Sequence, residues 1–432
     1  MKVFSFLEYP IYLENLRNLF SHIARQEQAL YVVTGRDRGS AYSLNCYQEP
    51  NEEESPWELR SLNVTLPYKP DVLLLNQCWW GKELDVMAEC FQAGIPGVVV
   101  EHGAPMASLD RHCYRHSLNG CLFTYLVGER SKRLVEGIGC PSERLVVTGW
   151  PRYDDLVHLQ APREEVLTRY TIPPDRKIAL FLTTPVLQRD NMLDALRGME
   201  ELLAGSTDWK LVLKPHPMEV EKGWVPSAPS AVTVTRDADL HALIAAADVV
   251  VTGVSSVLIP AWHFRKPILT YTVPDSESLH TFQAETEGTI RWKRPGTVGW
   301  EDIEFSPNLE RIRPLLADHA YAIDGHSSER VYRHMRDTVI PLVASRRHDR
   351  LLKEMFWIAT DLVSERSSHA ADRAKLNRVY RELNELKIHS LMPAHRFAWL
   401  WLRNVLRKVP GARTLARRWR ELCQRRKGVP LS

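Results

Sequence analysis

From residue 2 to about residue 305, short β-branched apolar runs alternate with stretches of helical period, and this alternation constrains the fold more than any other feature of the chain. A strand covered on both faces reads as an unbroken apolar run, and such strands alternating with helices build parallel α/β sheets. In the first half, strands are predicted at 2–6, 30–34, 72–76, 97–101, 123–127 and 145–148. Helical spacing fills 12–25, 83–93 and 129–137. The stretch 36–56 is polar and acidic (Glu52, Glu53, Glu54) and is expected to be a surface excursion.

A second series follows a proline-punctuated segment. Pro162, Pro173 and Pro174 stand among charges there, so 161–176 is read as a linker. Beyond it, strands are predicted at 178–183, 210–214, 232–235, 249–252 and 268–272, with helices at 191–203, 240–247 and 256–264. The fold class is therefore α/β, with two successive Rossmann-like domains over 1–160 and 177–345. Residues 346–432 form a helical extension.

Composition excludes several classes. With 44% hydrophobic and 25% charged residues among 432, the chain is globular rather than disordered. No stretch approaches the ~18 apolar residues of a spanning helix, and the opening MKVFSFLEYP predicts no secretory leader. Seven cysteines without a CxxC pair read as reduced thiols of a cytoplasmic protein. There is no GxxxxGK[ST], no GxGxxG after the first strand and no GxSxG elbow, which argues against P-loop hydrolysis, a dinucleotide cofactor and an α/β-hydrolase. Histidines lack metal-ligand spacing, so neither metal nor cofactor is expected.

Five strand exits carry groups suited to chemistry. The apolar strand VVV runs into Glu101-His102-Gly103, where a parallel sheet presents its ligand crevice. His102 can exchange a proton near neutral pH; equally, it can be a strand-end histidine bonded to backbone. In LVLKPHP two prolines fix a turn bearing Lys214 and His216, a cation pair able to neutralise a leaving diphosphate, or a rigid surface loop. In DVVVTGVSSVL, Gly253 leads into Ser255 and Ser256, which either cradle an anion or supply an N-cap. Arg152, in TGWPRYDD, faces phosphate across the cleft or pairs with Asp154 or Asp155 to lock the domain junction; the junction role is the simpler reading. Thr183 and Thr184, in FLTTP, can line the same cleft.

In this order, HG, TGxPRxD, TTP, KPHP and D-x3-T-x2-SS resemble the CDP-glycerol glycerophosphotransferase family over roughly residues 70–275. That family polymerises or primes teichoic acids and some capsules and is similar in fold to GT-B glycosyltransferases. The resemblance implies an acceptor domain over 1–160 and a nucleotide-donor domain over 177–345, facing across a cleft. It maps a general base for the acceptor hydroxyl onto His102, a donor-phosphate contact onto His216, and further donor contacts onto Ser255 and Ser256. The chain departs from the family pattern at Glu101, where a Trp is usual, at Gly253-Val254, where Asp-Tyr is usual, and at Pro260, where related GT-B enzymes often keep an acid. The expected partners are a nucleotide-activated donor, CDP-glycerol favoured, and a lipid-linked polysaccharide acceptor. Alternatives are a GT-B transferase using a CMP- or UDP-sugar, a UDP-GlcNAc 2-epimerase-like enzyme, and a non-catalytic binding protein of an assembly complex.

Net charge is only +3, yet from Lys387 onward twelve Lys and Arg stand against one acid, Glu421. On a helical wheel Phe397, Trp401, Leu402, Val405 and Val409 share one side, with Arg396, Arg403 and Arg407 toward the other. Such a helix lies on an anionic membrane surface, each basic residue contributing about 1 kcal/mol, or packs its apolar face on protein. No nucleic-acid-binding module accompanies it. The expectation is peripheral attachment to the inner face of the plasma membrane through 388–432. Deleting 388–432 should release the protein from anionic vesicles in a sedimentation assay; binding that persists unchanged overturns the anchor.

Overall fold

The computed structural model describes residues 1–344 apart from 9–11, 28, 37–39, 45–55, 77–81, 106–120, 138–139, 160–162, 185–188, 222, 235–238 and 273–276. The basic extension therefore lies outside the described residues. No helix among them is long and apolar enough to cross a membrane. Cys90, Cys121 and Cys140 are buried and not joined in disulfides.

Two sheets dominate. The first contains β1 (Val3–Leu7), β2 (Leu30–Arg36) and β3 (Ser40–Leu44); β4 (Trp57–Leu59) and β5 (Val64–Leu66) form a separate hairpin. It continues with β6 (Val72–Leu75), β7 (Gly97–Val100), β8 (Phe123–Leu126) and β9 (Leu145–Val147), in the order β3-β2-β1-β6-β7-β8-β9. All its pairings are parallel except β2 with β3. The second comprises β10 (Lys177–Leu182), β11 (Trp209–Lys214), β12 (Val232–Thr233), β13 (Val249–Thr252), β14 (Ile268–Thr270) and β15 (Arg291–Trp292). Its order, β12-β11-β10-β13-β14-β15, is wholly parallel and is the doubly wound Rossmann arrangement.

The apolar runs become strands because helices cover both faces. Every residue of β1, β6, β7, β8 and β13 is buried. Helix α1 (Tyr12–Glu27) lays Leu16, Leu19, Phe20 and Ile23 into the first core, one turn apart as helical spacing requires. One apolar cluster runs from the first sheet into one face of the second, and a separate cluster around Phe181, Met192 and Met199 covers the other face.

Three segments differ from the sequence reading. Residues 40–44, inside the expected surface excursion, form β3 by antiparallel pairing onto β2. The proline-rich linker contains a helix, Arg163–Arg169, that packs on the Leu240–Ala246 helix. There Arg163 donates to Asp248 at 2.8 Å and to Arg176 O at 2.9 Å. The chain also returns to the first lobe: helix Ser327–His334 packs on α1, with Tyr332 Oη donating to Glu27 at 2.5 Å and Tyr125 Oη meeting His334 Nδ1 at 3.1 Å. The end of the stretch read as the second domain thus completes the first lobe's core through Val331, Met335 and Val339.

The TGWPRYD segment joins these parts. Thr148 O accepts from Arg330 Nε at 2.7 Å. Gly149 has φ +79°, and a Cβ there would meet Ser327 Oγ at 2.6 Å, so only glycine fits. Tyr153 Oη donates to Ser256 O of the second lobe at 3.1 Å. The Asp154 carboxylate accepts the Ser327 and Ser328 amides at 2.8 Å each, satisfying N–H groups that open the returning helix. Asp154→Ala should cost ~2 kcal/mol of stability and lower the denaturation midpoint; an unchanged midpoint would show that these bonds add nothing.

Candidate active site

In doubly wound sheets a crevice opens at the carboxyl ends of the strands where the order reverses. The reversal lies between β1 and β6 in the first sheet and between β10 and β13 in the second. Asn76 follows β6 and His102 follows β7; Thr183 and Thr184 follow β10, Lys214 ends β11 and Gly253 follows β13. The two ends approach each other: a Cβ on Gly103 would lie 3.7 Å from Trp150 Cη2 and 4.0 Å from Ser256 Cβ.

On the first-lobe side, His102 is held on several sides. Its ring stands edge-on to Tyr12, centroids 4.7 Å apart. Its Nδ1 lies 3.3 Å from Asn15 Nδ2 and 3.4 Å from Asn76 Oδ1. Burial pushes the imidazole down to about 4, helped by the charges of Arg152 and His216, so the ring is neutral at pH 7. Glu101, one residue earlier, is buried and turned to Val127, whose amide it accepts at 2.7 Å.

Arg152 does not pair with Asp154 or Asp155, because Asp154 is occupied by the returning helix and the guanidinium reaches α1. Its Nη1 donates to Asn15 Oδ1 at 3.1 Å, and its plane lies 5.6 Å from the Trp150 ring. Among the described residues it has no carboxylate partner. Burial lowers its pKa.

On the second-lobe side, the KPHP turn is pinned from within. The His216 amide donates to Thr183 Oγ1 at 2.7 Å and to Glu219 Oε2 at 3.2 Å, and the Thr183 hydroxyl donates to the same carboxylate. Thr183 is buried, so its hydroxyl frames the turn rather than facing the cleft. Lys214 is buried, with Nζ donating to Pro215 O at 3.2 Å and no carboxylate partner among the described residues. Burial lowers its pKa too. Thr184 Oγ1 meets Tyr271 Oη at 3.2 Å; burial pushes that phenol up to about 12.

The serines do not cap the following helix. Its N-cap is Val257, without a side-chain bond, and neither serine hydroxyl has a partner among the described residues. The backbone before them is set by Val254 N donating to Thr272 Oγ1 at 3.1 Å.

Sequence reasoning missed Asn15, Asn76, Glu219, Tyr271 and His241. His241 enters the cleft from the helix after β12, its ring 6.3 Å from Tyr153, and burial with the Arg152 charge takes it to about 4. Glu219 had a local signal, standing three residues past His216 as an acid at a helix start. The others lie far from the motifs in sequence.

Gly253 explains its own identity. A Cβ there would fall 2.9 Å from Thr184 Oγ1 and 3.3 Å from Thr272 Oγ1. Gly253→Ala should lower stability by ~1–3 kcal/mol through overpacking, and adding Thr184→Ala should recover part of the loss. Thermal melts check this; a single variant as stable as the native chain would show the gap is looser than it looks.

Comparison with known proteins follows the same lines. The sequence model described as CDP-Glycerol:Poly(glycerophosphate) glycerophosphotransferase matches residues 129–336. No curated protein matches the chain by sequence. Among solved structures, the wall teichoic acid polymerase TagF superposes with a TM-score of 0.54 at 13% identity, covering 81% of this chain and 90% of that one. The UDP-GlcNAc 2-epimerase of Neisseria meningitidis, bound to UDP-GlcNAc, gives 0.54 at 14% identity, covering 78% and 100%. The S. aureus MnaA–UDP structure gives 0.52 at 16%, covering 78% and 97%. These likenesses show a GT-B-like fold, whereas the sequence match distinguishes a family within it. Residues 129–336, a little under half of the chain, thus match the CDP-glycerol:poly(glycerophosphate) glycerophosphotransferase family, and the chain is a transferase.

Proposed function

We propose that the protein transfers glycerol phosphate from CDP-glycerol to a hydroxyl of a lipid-linked cell-surface polysaccharide, working on the inner face of the plasma membrane through its basic extension. The observation that carries this reading is the charge of the cleft. Lys214 is a buried cation and Arg152 a half-buried one, both without carboxylate partners among the described residues, beside imidazoles that burial keeps neutral. Such a site is incomplete without an anion, and a diphosphate supplies one.

In the proposed reaction, His102 takes the proton of the acceptor hydroxyl as the oxygen attacks the β-phosphorus. One oxygen–phosphorus bond forms, the bond to the bridging oxygen breaks, and CMP leaves with the electron pair. Lys214, His216, Ser255 and Ser256 meet the charge that develops on the departing phosphate. Arg152 steadies the donor from the opposite lobe. Gly253 keeps the serine loop close, and Thr183 and Thr184 hold the floor beneath it. A neutral histidine suits the base role because only the unprotonated ring can accept.

Thermal-shift measurements with CDP-glycerol, CMP-sugars, UDP-sugars and GDP-sugars test donor choice, and selective protection by a non-cytidine nucleotide overturns CDP-glycerol. His102→Ala and His216→Ala should each lower turnover by ~10² or more; folded variants with near-normal rates remove the mechanism. The sign of the pH dependence is fixed as well. With His102 at about 4 in the free enzyme, kcat/KM should hold as pH falls past 6.5 and drop only as the ring protonates near 4. Epimerisation of UDP-GlcNAc without acceptor would instead place the protein with the epimerases.

A further inference from the structure

We propose that Asn15 is a positioning residue that couples the Arg152 guanidinium to the His102 imidazole and decides which ring nitrogen stands ready for the acceptor. This rests on the reading of His102 as the base, but its evidence is a separate hydrogen-bond network.

The network leaves the amides no freedom. A guanidinium only donates, so the Asn15 oxygen must face Arg152 Nη1, at 3.1 Å. The Asn15 amino group therefore faces Asn76 Oδ1, at 2.9 Å, and His102 Nδ1, at 3.3 Å. Backbone carbonyls only accept, so the Asn76 amino group faces Val100 O and Glu101 O, at 3.2 and 3.5 Å. The Asn76 oxygen is thereby turned to Asn15 and to His102 Nδ1, at 3.4 Å. Both asparagines are buried. Flipping either amide would set donor against donor or acceptor against acceptor, at a cost that burial magnifies.

At His102 Nδ1 this geometry offers one donor and one acceptor. When Nδ1 is unprotonated it accepts from Asn15; when protonated it donates to Asn76. The second state places the lone pair on Nε2, the nitrogen that takes the acceptor's proton. Both neutral tautomers and the imidazolium have a partner, and the pair supplies no carboxylate that would raise the ring's basicity. Among the described residues, the groups that face the ring include Tyr12 and Asn15 from α1, Asn76 from the end of β6, Arg152 from the segment after β9 and His216 from the KPHP turn. Because Asn15 also holds Arg152, a phosphate that draws the guanidinium away withdraws a donor from Asn15 and changes the balance at Nδ1. Donor arrival and base readiness are linked through one side-chain amide.

The test uses the full chain with 15N-labelled histidine, the His102 signals being those lost in His102→Gln. In Asn15→Asp a carboxylate replaces the amino group beside Nδ1, so the His102 titration midpoint should rise by about one unit or more, and the acid limb of kcat/KM with it. In Asn15→Leu the donor to Nδ1 is removed, so the neutral ring should shift toward the Nδ1–H tautomer, read from the nitrogen shifts. A folded Asn15→Asp with an unmoved midpoint overturns the coupling. If that variant does not fold, an unchanged tautomer ratio in Asn15→Leu does the same. Failure of the base reading is distinguishable: it appears as undiminished CDP-glycerol turnover in folded His102→Ala, whatever the nitrogen signals of the Asn15 variants show.

Discussion

A parallel strand sandwiched between helix layers carries few polar side chains along its length, because each must find a partner inside, as Ser5 does at Leu74 O. The rest of the molecule depends on that constraint. Strands such as VVV at 98–100 and VVVT at 249–252 are apolar until their last residue, and polar groups appear where the strand leaves the sheet. Doubly wound order then gathers those exits at one place in each lobe. His102, Lys214, His216 and the paired serines stand at such exits because hydrophobic burial disfavours them along the strands.

The cleft is electrostatically unusual for a place with so many basic side chains. His102 and His241 are neutral through burial, so the charge rests on Arg152 and Lys214. A cation withdrawn from water without a paired acid costs folding free energy, and that cost is tolerated at sites where an anion binds. Glu101 and Glu219 accept the backbone amides of Val127 and His216. The acids thus brace the loops and leave both cations without a carboxylate among the described residues.

The segment from Thr148 to Asp154 makes two lobes into one machine. Its carbonyl at Thr148 and its carboxylate at Asp154 both reach the returning helix, and its hydroxyl at Tyr153 reaches the serine loop of the second lobe. A side chain at Gly149 would force the returning helix away. Trp150 lies between Gly103 and Arg152, so the junction also forms the wall of the cleft. Structural and chemical roles coincide here, which is why the motif reads as conspicuous but ambiguous from its letters alone.

By itself the sequence determined the central strands of both sheets, and helices such as 12–27 and 189–203, to within a few residues, because continuous apolar runs and helical stripes report burial directly. It also marked His102, Lys214 and His216 as strand-exit groups, since position after an apolar run is a local property. Edge strands escaped notice: β3 and β15 are short, and they exist through pairing to a neighbour rather than through their own pattern. Only the tertiary structure decided that Arg152 reaches Asn15 rather than the acids beside it, that Thr183 holds a turn, and that Asn15 and Asn76 grip the imidazole. Those choices depend on which donor finds which acceptor once distant strand ends meet, and hydrogen-bond direction leaves no periodic trace in a chain of letters.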